Sequence, residues 1–151
     1  MNKLLRAFIE RDLNKARELI KQGENLNEAY NEHGWTPFLW LVKEFYEVEI
    51  VEEFIKLGGD VNQCNNDNLS PLMIAVTHRS SPDVIELLIQ YGADVDHQDN
   101  YGHTAIMKLL KHPQLGMRKH ILQTLIDNGC DLTTLRNIQG KSAMDMLLEK
   151  I

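Results

Sequence analysis

The chain has 151 residues, of which 43% are hydrophobic and 25% charged, the composition of one globular domain rather than of a disordered segment. Sixteen Lys and Arg against 22 Asp and Glu give a net charge of -6, which argues against a nucleic-acid binder, since phosphate contacts need a basic face. No apolar run approaches the roughly 20 residues that span a bilayer. Charges at Arg6, Glu10, Arg11 and Asp12 interrupt any secretory leader, and Cys64 and Cys130 are too few for a disulfide framework, so a cytoplasmic setting is expected.

In chain order, residues 3–10 and 12–21 predict two helices closed by Gly23, with Lys3, Arg6, Glu10 and Arg11 suiting an outward-facing cap. A repeat then sets in. Gly34-Trp35-Thr36-Pro37-Phe38 is echoed by Asn68-Leu69-Ser70-Pro71-Leu72, Gly102-His103-Thr104-Ala105-Ile106 and Gly140-Lys141-Ser142-Ala143-Met144. The hydroxyl residues Thr36, Ser70, Thr104 and Ser142 are spaced 34, 34 and 38 apart. A second anchor runs in phase at Gly23, Gly59, Gly92 and Gly129, each followed closely by Asn or Asp. Thr or Ser before Pro starts a helix, because the hydroxyl caps a free N–H and proline loses no bond at the first position. A short apolar helix follows over Pro71–Thr77, and a second starts at Ser81-Pro82-Asp83. Val84, Ile85, Leu87, Leu88 and Ile89 supply its buried face, and Gly92 ends it. Residues 94–102 read as a turn-rich connection to the next unit. Each unit is therefore helix, turn, helix and long loop, and single units must stack to bury their apolar faces.

On these motifs the chain resembles the ankyrin-repeat family, whose period is about 33 residues and whose marker is a Thr-Pro-Leu-His-x-Ala box. Gly92-Ala93-Asp94-Val95-Asp96 is the best match to that family's hairpin opening. The resemblance implies an all-α solenoid of stacked helix-turn-helix repeats joined by hairpin loops. One domain over 1–151 divides approximately into repeats 1–30, 31–64, 65–98, 99–136 and a terminal half over 137–151. The box histidine is absent: Leu39, Met73, Met107 and Asp145 stand in its place, which predicts looser hairpins or a shifted core register. The longer third interval places an enlarged turn at 112–117. At the C-terminus, either Leu147 and Leu148 pack back on 121–126 or an apolar edge stays open.

Catalytic signatures are absent, and neither a cofactor nor a metal is expected. His97 and His103 share a predicted hairpin with Asp94, Asp96 and Asp99, without zinc-type spacing. Cys130 reads as a small buried hydrophobe, and Cys64 has no sequence neighbour that would lower its pKa. Met73, Met107, Met144 and Met146 recur at repeat spacing and read as core.

Charge is unevenly spread. Residues 31–67 carry -6, residues 68–99 carry -4 and residues 100–151 carry +3. Glu44, Glu47, Glu49, Glu52 and Glu53 form either a solvated helix face or a field that steers a basic partner. Trp35 and Tyr101 are of the types enriched at interface hot spots, whereas Trp40 and Phe45 read as core. The resemblance implies a non-enzymatic adaptor or inhibitor, expected as a monomer, that binds another protein through hairpin tips and the concave helix face. By position, the implied contact residues are Glu32, His33, Trp35, Lys43 and Glu44 in one repeat. Asn66, Asp67, Leu69, Thr77 and His78 follow in the next, and Asn100, Tyr101, His103, Lys111 and His112 in the third. The alternatives are a self-associating scaffold using Leu147, Leu148 and Ile151, and a metal-dependent enzyme at the 97–103 hairpin and His112.

Overall fold

The computed structural model describes residues 2–78 and 81–151; Met1, Arg79, Ser80 and the side chain of Met117, within the expected 112–117 turn, lie outside the described set. The helices are α1 (Lys3–Ile9), α2 (Leu13–Lys21), α3 (Pro37–Glu44), α4 (Val48–Lys56), α5 (Pro71–Thr77), α6 (Pro82–Gln90), α7 (Ala105–Leu110), α8 (Lys119–Asp127) and α9 (Ala143–Leu148), with a 3₁₀ turn at Leu115–Arg118. The architecture is the all-α stack of helix pairs that the sequence predicts. The first helices pack in the row α1, α3, α5, α7, α9, and the second helices in the row α4, α6, α8. α2 rests on α1, and a bidentate Arg17–Glu53 ion pair links it to α4.

Except at α4 and α8, which begin at Glu47 and Arg118 without a side-chain cap, helix starts follow the hydroxyl and Asx positions. The side chains of Thr36, Ser70, Ser81 and Thr104 accept from the N–H groups of Leu39, Met73, Val84 and Met107. Pro37, Pro71 and Pro82 occupy the first helical position behind three of these caps. Each cap is worth about 1 kcal/mol, which matters because helices of six to nine residues are unstable alone. The second helices end in one repeated motif. At Gly92 (φ +93°), the Gly92 N–H donates to the Ile89 carbonyl and the Ala93 N–H to the Leu88 carbonyl. That left-handed conformation costs glycine nothing and strains other residues.

Packing is concentrated between the helix rows. Phe8 meets Phe54 edge-on at 4.9 Å and Phe45 at 6.2 Å. Phe38, Leu41, Leu72, Ile85, Leu88 and Leu109 are fully buried. Phe45 is core as expected, and Trp40 lies half-buried 6.3 Å from it. The box positions keep the core register: Leu39, Met73 and Met107 are buried. Asp145 closes a reciprocal capping box with Ser142 instead.

The expectation of looser hairpins is corrected. A side-chain oxygen at the base of each hairpin does the tying. Asn31 Oδ1 accepts from the N–H groups of His33 and Trp35, Asn65 from Asp67 and Leu69, Asp99 from Tyr101 and His103, and Asn137 from Gln139 and Lys141. These residues are 34, 34 and 38 apart, in step with the helix caps.

The C-terminal alternatives resolve residue by residue. α9 stacks on α7, Leu147 packs against the core, and Leu148 and Ile151 are exposed. The expected turn at 112–117 is the loop and 3₁₀ turn before α8. Just past it, Arg118 reaches back to α5, donating to the carbonyls of Val76 (2.5 Å) and His78 (2.7 Å).

Candidate partner-binding surface

The hairpin tips are locked to one another in a row. The Asn66 N–H donates to the His33 carbonyl (3.0 Å), Asn100 to Asp67 (3.1 Å) and Ile138 to Tyr101 (2.9 Å). The Asn66 and Asn100 side-chain amides add bonds to the carbonyls of Glu32 and Asn66. Close stacking requires small tips: a Cβ on Gly34 (φ +76°) would stand 2.8 Å from the Asn66 backbone nitrogen. In the second hairpin Asn68 takes the same conformation (φ +61°), which asparagine tolerates. A second set of ties runs along the hairpin bases. Asn27 bonds the Gly58 carbonyl and the Asp60 N–H, and Asn62 bonds the Gly92 carbonyl and the Asp94 N–H.

This lattice divides the residues implied by sequence into two groups. Glu32, His33, Glu44, Asp67, Tyr101 and Lys111 present exposed side chains. Trp35, Lys43 and His112 are half-buried, with the Lys43 ammonium 6.0 Å above the Trp35 ring and 3.1 Å from Glu44. The others are engaged within the fold. Asn66 and Asn100 build the tip row. Leu69 packs on the core. The Thr77 hydroxyl donates to Met73 and Ile74 carbonyls, and His78 Nδ1 lies 2.9 Å from the Ile74 carbonyl. His103 is buried beside Asp99.

The acidic middle of the sequence is largely paired. Arg11 holds Glu47 at 3.1 Å, Arg17 holds Glu53, and Lys56 and the Tyr91 hydroxyl meet Glu52 at 3.1 and 2.9 Å. The Arg17 hydrogen bond lowers the pKa of Glu53, and those from Lys56 and Tyr91 lower that of Glu52. For these glutamates the helix-face reading is the one the geometry supports. Exposed carboxylates remain at the tips and on α3, at Glu32, Asp67 and Glu44.

The C-terminal part of the same surface is basic and hollowed. Tyr101, His103, Lys108, Lys111, Ile138 and Gln139 line a depression of about 380 Å³. Lys111 and Gln139 also border a second of about 310 Å³ that reaches Lys141 and Lys150. Lys108, Ile138, Gln139, Lys141 and Lys150 were not singled out from sequence, because their convergence spans neighbouring repeats. Burial raises the Asp99 carboxyl pKa, but the Lys108 ammonium and the N–H groups of His103 and Tyr101 outweigh it, leaving the carboxyl below its usual range. Burial, with Lys111 and Lys108 nearby, lowers His103. A larger hollow, about 550 Å³, lies elsewhere: Lys3, Arg6, Glu10, Asp12 and Lys15 line it beside α1 and α2.

His97 Nε2 bonds the Asn68 carbonyl at 2.9 Å and sits 3.4 Å from Cys64 Sγ. Folding thus gives Cys64 the histidine neighbour that it lacks in sequence, yet burial and Asp60 still push its pKa up. Cys130 is buried and pushed up to about 11. Among the described residues no cluster of three His, Cys, Asp or Glu side chains could hold a metal ion.

A family described as ankyrin repeats (3 copies) matches residues 39–136. The chain belongs to the ankyrin-repeat family. Ankyrin repeats are protein–protein interaction modules, and proteins built from them are typically non-enzymatic. An ankyrin repeat protein of Acanthamoeba polyphaga mimivirus is 34% identical over 77 residues, 48% of each chain. One from fowlpox virus is 26% identical over 106 residues, covering 70% of this chain and 18% of the relative. An ankyrin repeat and SAM domain-containing protein of Rattus norvegicus is 35% identical over 89 residues, covering 58% of this chain and 9% of the relative. The chain thus spans about half of the first of these relatives and less than a fifth of the other two. Among the described residues no helix is long and apolar enough to cross a membrane.

Proposed function

We propose that this ankyrin-repeat chain is a non-enzymatic adaptor or inhibitor that binds a partner protein through its hairpin tips and the concave side of its first helices. One observation carries the reading. Exposed tip residues Glu32, His33, Asp67 and Tyr101 ride on hairpins cross-tied by backbone and Asx hydrogen bonds. A surface fixed before the partner arrives loses little entropy on binding. The unit acts as one domain over residues 1–151, with repeats near 1–30, 31–64, 65–98, 99–136 and 137–151. In the polarity read from sequence, a basic patch on the partner meets Glu32, Glu44 and Asp67. The two free cysteines suit a cytoplasmic setting.

The test is affinity capture from the source lysate with three proteins compared: the parent, a tip variant (Trp35→Ala with Tyr101→Ala) and an outer-face variant (Glu18→Ala with Gln123→Ala). A protein lost with the tip variant and kept with the outer-face variant supports the reading. Equal capture by all three refutes it. Exposed Leu148 and Ile151 favour the scaffold alternative, for which mass rising with concentration is the signature.

A further inference from the structure

We propose that the groove between the third and fourth hairpin tips and helix α7 takes an acidic protein segment with one apolar side chain. The inference rests on the protein-binding reading above and adds the chemistry of the segment that occupies this part of the surface. It also differs in sign from the basic patch assigned to the acidic tips, so the two halves of the surface would contact oppositely charged parts of a partner.

The cations of the groove come first. Lys108 on α7 and Lys111 at its C-cap line the same hollow, and Lys111 continues into the adjoining one with Lys141 and Lys150. Two carboxylates are near, and both are committed. Asp99 is buried and held by Lys108 at 2.7 Å; Glu149 is held by Lys141 at 2.5 Å. Lys111 and Lys150 form no ion pair among the described residues, and both are exposed. Two ammonium groups of the groove, those of Lys111 and Lys150, therefore stand without an ion-pair partner among the described residues, on the part of the chain that carries +3.

The apolar side of the groove decides between classes of anion. Tyr101 is 57% exposed and Ile138 70% exposed, on neighbouring tips joined by the Ile138 N–H to the Tyr101 carbonyl. Both line the hollow that contains Lys108 and Lys111. An apolar wall beside cations matches a peptide with a hydrophobic side chain between carboxylates. A nucleic-acid strand fits poorly, because the next tip along the row carries exposed Asp67, whose carbonyl accepts from Asn100 N–H. A phosphate backbone that continues past Tyr101 meets this carboxylate, whereas a short acidic segment ends before it.

The probe is a fluorescein-labelled peptide of glutamates flanking one central leucine, followed by fluorescence anisotropy against the whole chain. Its lysine counterpart and a thymidine oligonucleotide of equal charge serve as competitors. The expected result is saturable binding of the acidic probe, weakened at least about tenfold by Lys111→Glu, restored by Lys111→Arg and weakened by Tyr101→Ala. Thermal unfolding by circular dichroism confirms that Lys111→Glu folds as the parent does. Equal binding of the lysine peptide, or an unchanged affinity for Lys111→Glu, overturns the proposal. Tighter binding of the oligonucleotide overturns it in favour of nucleic acid. If these fail while the Trp35/Tyr101 variant still loses a captured protein, the acidic-segment inference falls and the protein-binding reading stands.

Discussion

The Lys108 ammonium lies 2.7 Å from Asp99 Oδ2, and both side chains are mostly withdrawn from solvent. Oδ2 receives no well-directed hydrogen bond, so the ammonium is its compensation, while Oδ1 ties the third hairpin through Tyr101 and His103. Removing one partner of such a pair leaves a buried charge unmatched. Lys108→Met is expected to destabilise by about 3 kcal/mol, and Lys108→Met with Asp99→Asn by much less. Urea unfolding of the two singles and the double measures the coupling.

The other hairpin bases are asparagines, and the residues at the Lys108 position there include Trp40 and Ile74. Asn65→Asp then places a carboxylate in a buried hairpin base without a cation. It should cost about 2–3 kcal/mol, and adding Ile74→Lys should recover part of it. Unfolding midpoints in urea decide this; an additive double variant would show that the Asp99–Lys108 arrangement is not transferable.

Arg118 joins the loop before α8 to the end of α5 by donating to the Val76 and His78 carbonyls. Arg118→Ala leaves both acceptors to water and should lower stability by about 1–2 kcal/mol. Hydrogen exchange should speed up at the C-terminal end of α5 and in residues 112–118, while α1 and α2 stay unchanged.

Acid should weaken the fold in two steps. Burial lowers the His103 and His112 pKa values below 6.5, so the unfolded chain binds these protons first and stability begins to fall as pH drops through 6.5. Asp131 is lowered from 3.8 to about 2, chiefly by the Thr134 hydroxyl, then by the Thr134, Leu135 and Thr133 N–H groups. Its contribution is complete above the unfolded value and drains as pH falls toward the folded one. Urea midpoints against pH should show both windows, with His103→Gln flattening the upper and Asp131→Asn the lower.

Cys130 is 8% exposed and its pKa stands near 11, while burial and Asp60 raise that of Cys64. Neither thiol should react quickly with iodoacetamide at neutral pH. Labelling of Cys130 should follow global unfolding as urea is raised; prompt labelling in the native state would contradict its burial.

The residues that set each unit lie within a few positions of one another, so they were legible in order. Thr36-Pro37, Ser70-Pro71 and Ser81-Pro82 cap and start helices, and Gly92 stops one, by bonds that reach three to five residues along the chain. Their recurrence at 34-residue steps dictated stacking, since a single pair of short helices cannot cover its own apolar face. The asparagines of the hairpin bases carried the same period and could have been read as the substitute for the missing histidine. What lay beyond reach were contacts between units. The pairing of Glu53 with Arg17, the approach of His97 to Cys64, the reach of Arg118 to α5 and the convergence of Lys111, Ile138 and Lys141 all join residues about 27 to 42 positions apart. From the sequence, Glu53 had a place on a helix face and His97 a place in a hairpin. Only the angle and rise at which one repeat sits on the next decided which side chains met a partner and which were left open to one.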